Sequence, residues 1–83
     1  MAKPETFTLD VEYTDTFGGE ANYCWVRRDT LELPVGISDI AVMKRAKKAM
    51  GLNGVRGRSY CHGDMWEFKP ANSCTVMFAN VRY

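Results

Sequence analysis

Ser38-Asp39-Ile40-Ala41-Val42-Met43-Lys44-Arg45-Ala46-Lys47-Lys48-Ala49-Met50-Gly51 is the stretch on which the fold turns. Ser38 suits an N-cap, because its hydroxyl can accept from a free amide of the first helical turn. Asp39 sets a negative charge at the positive end of the helix dipole, and Lys47 and Lys48 suit the other end. Ile37 and Val42 have the spacing of a hydrophobic staple. Gly51 can take the left-handed conformation that ends a helix, with Leu52 placed to pack behind it. Val42, Met43, Ala46, Ala49 and Met50 recur on one side at helical spacing, while Lys44, Arg45, Lys47 and Lys48 cover the rest.

On both sides of this helix the pattern is that of strands. Phe7, Leu9, Val11 and Tyr13 alternate with Thr8, Asp10, Glu12 and Thr14, which predicts a strand with one apolar face. A connection longer than an ordinary hairpin turn is expected over Asp15–Asn22, with Phe17 at its tip. Tyr23–Leu33 reads as a second strand with a disturbed phase: Arg27 and Asp29 share a parity with Tyr23, Trp25, Leu31 and Leu33. A bulge near Arg27–Thr30 or a mixed face would account for that. Trp25 is expected to anchor the core, and Phe17 either folds back on it or stands out as a contact. Pro34 ends the strand.

Beyond the helix, Gly63-Asp64 predicts a two-residue type II′ turn. It would pair His62 with Met65, Cys61 with Trp66, Tyr60 with Glu67 and Ser59 with Phe68. Val55, Gly57, Ser59, Cys61, Trp66 and Phe68 then face inward, and Arg56, Arg58, Tyr60, His62, Met65, Glu67 and Lys69 outward. Pro70–Ser73 is a turn. Cys74–Tyr83 is apolar on both faces for most of its length, the mark of a central strand or one covered on both sides. The order β-β-α-β-β-β gives an α+β two-layer domain, an antiparallel sheet with one helix packed on one face, and residues 1–83 make a single domain.

Composition narrows the class. Of 83 residues, 46% are hydrophobic, with two Trp, four Tyr and four Phe, enough for one core and too many for a disordered chain. No apolar run approaches the ~20 residues of a membrane span. Met1-Ala2-Lys3-Pro4-Glu5-Thr6 lacks the apolar stretch of a signal peptide, so a cytoplasmic location is expected. Cys24, Cys61 and Cys74 cannot all pair with one another, and each is expected as a reduced, small core hydrophobe. The net charge of +1 is unevenly spread. Residues 1–39 hold three basic and eight acidic side chains, a net −5, and residues 40–83 hold eight basic and two acidic, a net +6.

Few residues form a chemical motif. Cys24, Cys61, His62 and Cys74 lack the spacing of a zinc site, and neighbours on a strand such as Cys61 and His62 point to opposite faces. No metal and no cofactor is expected. Gly18-Gly19 is not followed by Gly-Lys-Ser/Thr, and no nucleophile elbow is present. No catalytic residue is therefore assigned, and a small enzyme using His62 or a cysteine is a minor alternative.

Two contact surfaces remain. Phe17, Glu20, Tyr23, Arg27 and Arg28 combine exposed aromatics with arginine, the composition of protein-binding hot spots. Lys44, Arg45, Lys47, Lys48, Arg56, Arg58 and Tyr60 combine basic groups with an aromatic, which suits phosphate contacts and base stacking. The element order is not that of an RRM, and no Gly-x-x-Gly joins two helices as in a KH domain.

Asp15-Thr16-Phe17-Gly18-Gly19-Glu20-Ala21-Asn22-Tyr23-Cys24-Trp25-Val26-Arg27-Arg28 resembles a run found in small accessory proteins of tailed phages and prophages. In those, a strand, this loop, a strand ending in Trp-x-Arg-Arg and a Lys/Arg-rich helix follow in similar order. The resemblance brings no catalytic residue with it. It implies a non-enzymatic protein of the host cytoplasm that binds a host macromolecule, a protein or a protein–nucleic-acid complex, in the manner of inhibitors of host defence such as anti-CRISPR proteins. A nucleic-acid-binding module is the alternative, with no membrane partner and the chain a monomer or a homodimer.

Overall fold

The computed structural model describes residues 5–83. The first four residues, on which the reading of the N-terminus partly rests, lie outside that range. The elements are β1 (Thr6–Phe17), β2 (Glu20–Pro34), α1 (Asp39–Ala49), β3 (Gly57–His62), β4 (Met65–Pro70) and β5 (Thr75–Val81). All strand pairs are antiparallel, in one sheet of order β2-β1-β5-β4-β3 with α1 on one face. This is the α+β two-layer arrangement expected. Among the described residues no helix is long and apolar enough to cross a membrane.

The helix ends follow the residues that announce them. Ser38 Oγ accepts from the Ala41 amide at 3.2 Å. At the other end, Gly51 sits at φ 73°, its amide donates to Lys48 O, and the Leu52 amide donates to Lys47 O. Those two bonds are the Schellman pair, and Leu52 is buried behind them. Lys47 does not join the solvated face. Its ammonium donates to Val55 O at 2.8 Å and lies 4.2 Å from the centroid of the Phe68 ring, so it fastens the helix to the β3 approach.

The β1–β2 connection differs from the expected Asp15–Asn22 loop. Phe17 pairs directly with Glu20, and Gly18 and Gly19 both have positive φ, 62° and 85°. That is a tight turn of the I′ kind, which needs positive φ at both central positions. The surplus residues sit inside β2 instead. Pairing passes from Thr14–Val26 to Thr16–Ala21, leaving Asn22, Tyr23, Cys24 and Trp25 opposite Asp15 alone. A second correction follows. Pairing is unbroken from Thr6–Pro34 to Thr14–Val26, so there is no bulge near Arg27–Thr30, and the strand's face is simply mixed.

The core gathers Leu9, Val11 and Leu33 from the hairpin, Val42, Ala46, Met50 and Leu52 from the helix segment, and Trp66, Phe68, Met77 and Ala79 from β4 and β5. Trp66, not Trp25, is the core tryptophan. Its indole Nε1–H donates to Asp39 Oδ1 at 3.1 Å, tying the first turn of α1 to the sheet. β5 lies between β1 and β4, the central place its apolar faces require. On the face away from the helix, Val76 and Thr14 are also buried. There Gly19, Glu20 and Ala21 line a shallow depression with Glu67, Lys69, Val76 and Phe78, so the hairpin end leans over the back of the sheet.

The β3–β4 hairpin has the expected register, His62–Met65 through Ser59–Phe68, and Gly63 at φ 64° supplies the positive φ of a II′ turn. Its burial differs from the expectation. β3 is an edge strand and every residue in it is exposed, including Ser59 and Cys61. Cys24 and Cys74 are exposed too, so none of the three free cysteines is a core residue. A core this small is filled by the larger side chains of four other elements, leaving thiols at the rim.

Candidate functional site

The far end of the β1–β2 hairpin holds most of the exposed aromatic surface. Phe17, next to the turn, is 80% exposed. Tyr23 and Trp25, within the bulge, are 49% and 41% exposed. The expectation that Trp25 anchors the core is overturned. Its ring packs edge-on against Tyr13 at 5.3 Å between centroids, outside the core cluster.

Asp15 holds the bulge in shape. Its carboxylate accepts from Asn22 Nδ2 at 2.9 Å and from the Cys24 amide at 2.9 Å. Thr14 Oγ1 donates to Trp25 O at 2.7 Å. The ladder bonds lost to the extra residues are thus replaced by side chains, the usual requirement when a bulge interrupts pairing. Tyr23 is at φ 55°, the only non-glycine residue with positive φ among the described residues. A bulky side chain there costs about 1–2 kcal/mol.

The hydrogen bond from Asn22, then that from Cys24, hold the Asp15 carboxyl below the usual carboxylate range. A carboxyl lowered by folding contributes stability above its unfolded value, near 3.9, and loses that contribution as pH falls through the folded value. Asp10 is lowered in the same direction by Arg82, whose guanidinium donates to it. The urea midpoint of the protein is therefore expected to fall as pH drops below about 4. In Asp15→Ala the fall is expected to be shallower, because Asp10 alone remains. An identical acid limb in the two proteins would refute this role of Asp15.

The paired arginines do not act as a pair. Arg27 lies opposite Tyr13 and Arg28 opposite Glu12, so their side chains leave opposite faces of β2. Arg28 Nε donates to Glu12 Oε1 at 3.1 Å, and Tyr23 OH donates to Glu12 Oε2 at 3.3 Å. Glu12 thereby gathers Tyr23 and Arg28 on the back face. Burial first, then the Glu12 charge, raises the Tyr23 phenol pKa and keeps it a donor. The structure brings Phe17, Glu20, Tyr23 and Arg28 to the hairpin end and its back face, and leaves Arg27 on the helix side.

The basic set is likewise divided. Lys44 and Lys47 line the groove between α1 and β3, with Ile40, Met43, Ser59, Tyr60 and Trp66. Arg45 and Lys48 line the opposite groove, beside Asp29 and Glu32 of β2. Arg56 sits near Gly54 and Pro70, at a third concavity. Tyr60 stacks on His62 with ring centroids 6.2 Å apart. Cys61 Sγ lies 3.7 Å from Asp39 Oδ1, and partial desolvation at the helix-side rim, then that negative charge, push its thiol pKa up, away from the nucleophilic form. Among the described residues no three His, Cys, Asp or Glu side chains converge as metal ligands would.

Sequence reading missed Trp25 as a surface residue, the Asn22–Trp25 bulge and the structural use of Lys47. An acid facing an Asn seven residues on was the one available signal of the bulge. Compared with protein-family models, curated proteins and solved structures, the chain matches none.

Proposed function

We propose that this chain is a non-enzymatic accessory module of the phage type that binds a host protein through the end of its β1–β2 hairpin. The contact surface is Phe17, Glu20, Tyr23 and Arg28. The reading is supported above all by Tyr23, a bulky residue kept in a left-handed conformation on a bulge that Asp15 secures. Strain of this kind persists where the surroundings enforce it, and it clusters at binding sites. The core does not need it, since Tyr23 and Phe17 lie outside the core cluster. An exposed aromatic beside an arginine is also the composition of an interface anchor.

The test is affinity capture from host lysate with the full chain, scored against Phe17→Ala and Tyr23→Gly. Tyr23→Gly is expected to raise stability by about 1 kcal/mol, because glycine adopts positive φ without the Cβ penalty. It should nevertheless lose the captured protein, as should Phe17→Ala, while Ile40→Ala on the helix keeps it. Capture unchanged by both hairpin variants refutes the surface. Capture abolished by nuclease, with affinity falling steeply in salt, would favour a nucleic-acid partner instead.

A further inference from the structure

β2 has a neighbour on one side only, so the outward amides and carbonyls of its regular part are open to another strand, except the Thr30 amide, which donates to Asp29 Oδ1 at 2.8 Å and must be released for pairing. On its helix-side face the row reads Trp25, Arg27, Asp29, Leu31. Arg27 lies opposite Tyr13, Asp29 opposite Val11 and Leu31 opposite Leu9, and the Trp25 ring rests against Tyr13. Turned antiparallel on itself about Arg28, this row is self-complementary. Trp25 meets Leu31, Arg27 meets Asp29, and each contact occurs twice. We infer that β2 pairs with the β2 of a second copy of this chain, with the two-fold axis at Arg28, extending the sheet from five strands to ten.

The charges select this partner. Neither Arg27 nor Asp29 forms an ion pair among the described residues, and both are exposed. The Asp29 carboxylate accepts only the neighbouring Thr30 amide. Charges on a sheet edge normally block pairing, and a row of one sign blocks every register. A plus and a minus two residues apart leave open the register that sets them opposite each other, where cross-strand pairs of unlike charge are favourable. On the other face Arg28 meets Arg28 of the second copy. Each guanidinium already holds Glu12 at 3.1 Å, so what meets is a pair of ion pairs. A four-residue shift, which moves the axis to Thr30, would set Asp29 against Leu31 and Arg27 against Leu33, burying charge on apolar side chains.

This interface goes beyond the host-protein surface: it takes Arg28 from that surface and leaves Phe17, Glu20 and Tyr23 free. The two hairpin ends would point in opposite directions, so one dimer would offer two contact surfaces. An isologous contact of this kind closes on itself and does not grow into a filament.

Sedimentation of the full chain tests it. The expected mass is about 19 kDa, twice the 9.4 kDa of one chain. Arg27→Asp and Asp29→Arg each set like charges opposite one another twice, and each is expected to weaken the dimer about tenfold or more. The double swap, R27D with D29R, restores the complement and should restore the dimer. A wild-type monomer throughout, or a double swap as weak as its single parents, overturns the proposal. The register has its own readout. With Cys24, Cys61 and Cys74 changed to Ser, Arg28→Cys places two sulfurs across the axis at a Cα separation of about 4.5–5.5 Å, within disulfide reach. It should cross-link under mild oxidation, and Thr30→Cys should not. The reverse result overturns the Arg28 register.

Discussion

Trp66→Ala is expected to leave little or no stable folded protein, while Trp25→Ala costs about 1 kcal/mol. Trp66 is 7% exposed and sits where α1 meets the sheet. Truncating a buried tryptophan costs about 3–5 kcal/mol, through lost transfer energy and the cavity left behind. It also leaves Asp39, at the helix N-terminus, without the indole donor it holds at 3.1 Å. A domain of this length has on the order of 4–12 kcal/mol of stability to lose. Trp25 forfeits little more than an edge-on aromatic contact with Tyr13, worth roughly 0.5–1.5 kcal/mol. Urea unfolding followed by far-ultraviolet circular dichroism measures both without relying on tryptophan emission. Equal losses in the two variants would mean that the core has been assigned to the wrong tryptophan.

The second large effect comes from a single methyl group. A Cβ added at Gly57 would lie 2.2 Å from Lys69 O, 2.8 Å from Pro70 Cα and 2.9 Å from Lys69 C. These are backbone atoms of β4, the strand that carries Trp66 and Phe68 into the core, so they cannot yield without disturbing it. In an unobstructed strand, alanine would be better than glycine by roughly 0.5–1 kcal/mol. Here the clash reverses the sign, and Gly57→Ala is expected to destabilise by about 2–3 kcal/mol, the range of an overpacked site. Gly54→Ala is the comparison. Its Cβ meets open space, and only the positive φ of 81° is penalised, at about 1–2 kcal/mol. A Gly57→Ala protein as stable as wild type, with its β3 amides still protected from exchange, would contradict the close approach.

These two sites also mark what the sequence could and could not convey. The helix was legible to its ends, because Ser38, Gly51 and Leu52 act on backbone groups a few residues away. The β3–β4 register was legible for the same reason, a glycine at the first turn position. The inward place of Trp66 followed from that register, but the surface place of Trp25 did not show. Trp25 sits in an apolar run of its own, and its exposure depends on which strand lies under the helix, a matter of sheet order. The bulge was hidden because Asp15 has to reach Asn22 and Cys24 across the hairpin. Of the hairpin-end set, the aromatic character of Phe17 and Tyr23 could be read directly. The parting of Arg27 from Arg28 needed only strand alternation, but it was masked by uncertainty over where the phase breaks.

The place of β5 bears on how the molecule assembles. The strand at the middle of the sheet is the last of the six elements to be made, and it joins β1 by pairs such as Leu9–Val81 and Tyr13–Met77. The hairpins β1–β2 and β3–β4 can each close locally, on the microsecond scale of such units. Neither buries its apolar face until β5 slides between them and the helix settles over all three. That step closes a loop of more than sixty residues, so it carries the largest loop-closure cost of the fold and is expected to limit the folding rate. Until then two hairpins with open edges stand side by side. The charges along β2 then do a second duty, keeping the half-made sheet from pairing with whatever strand comes first.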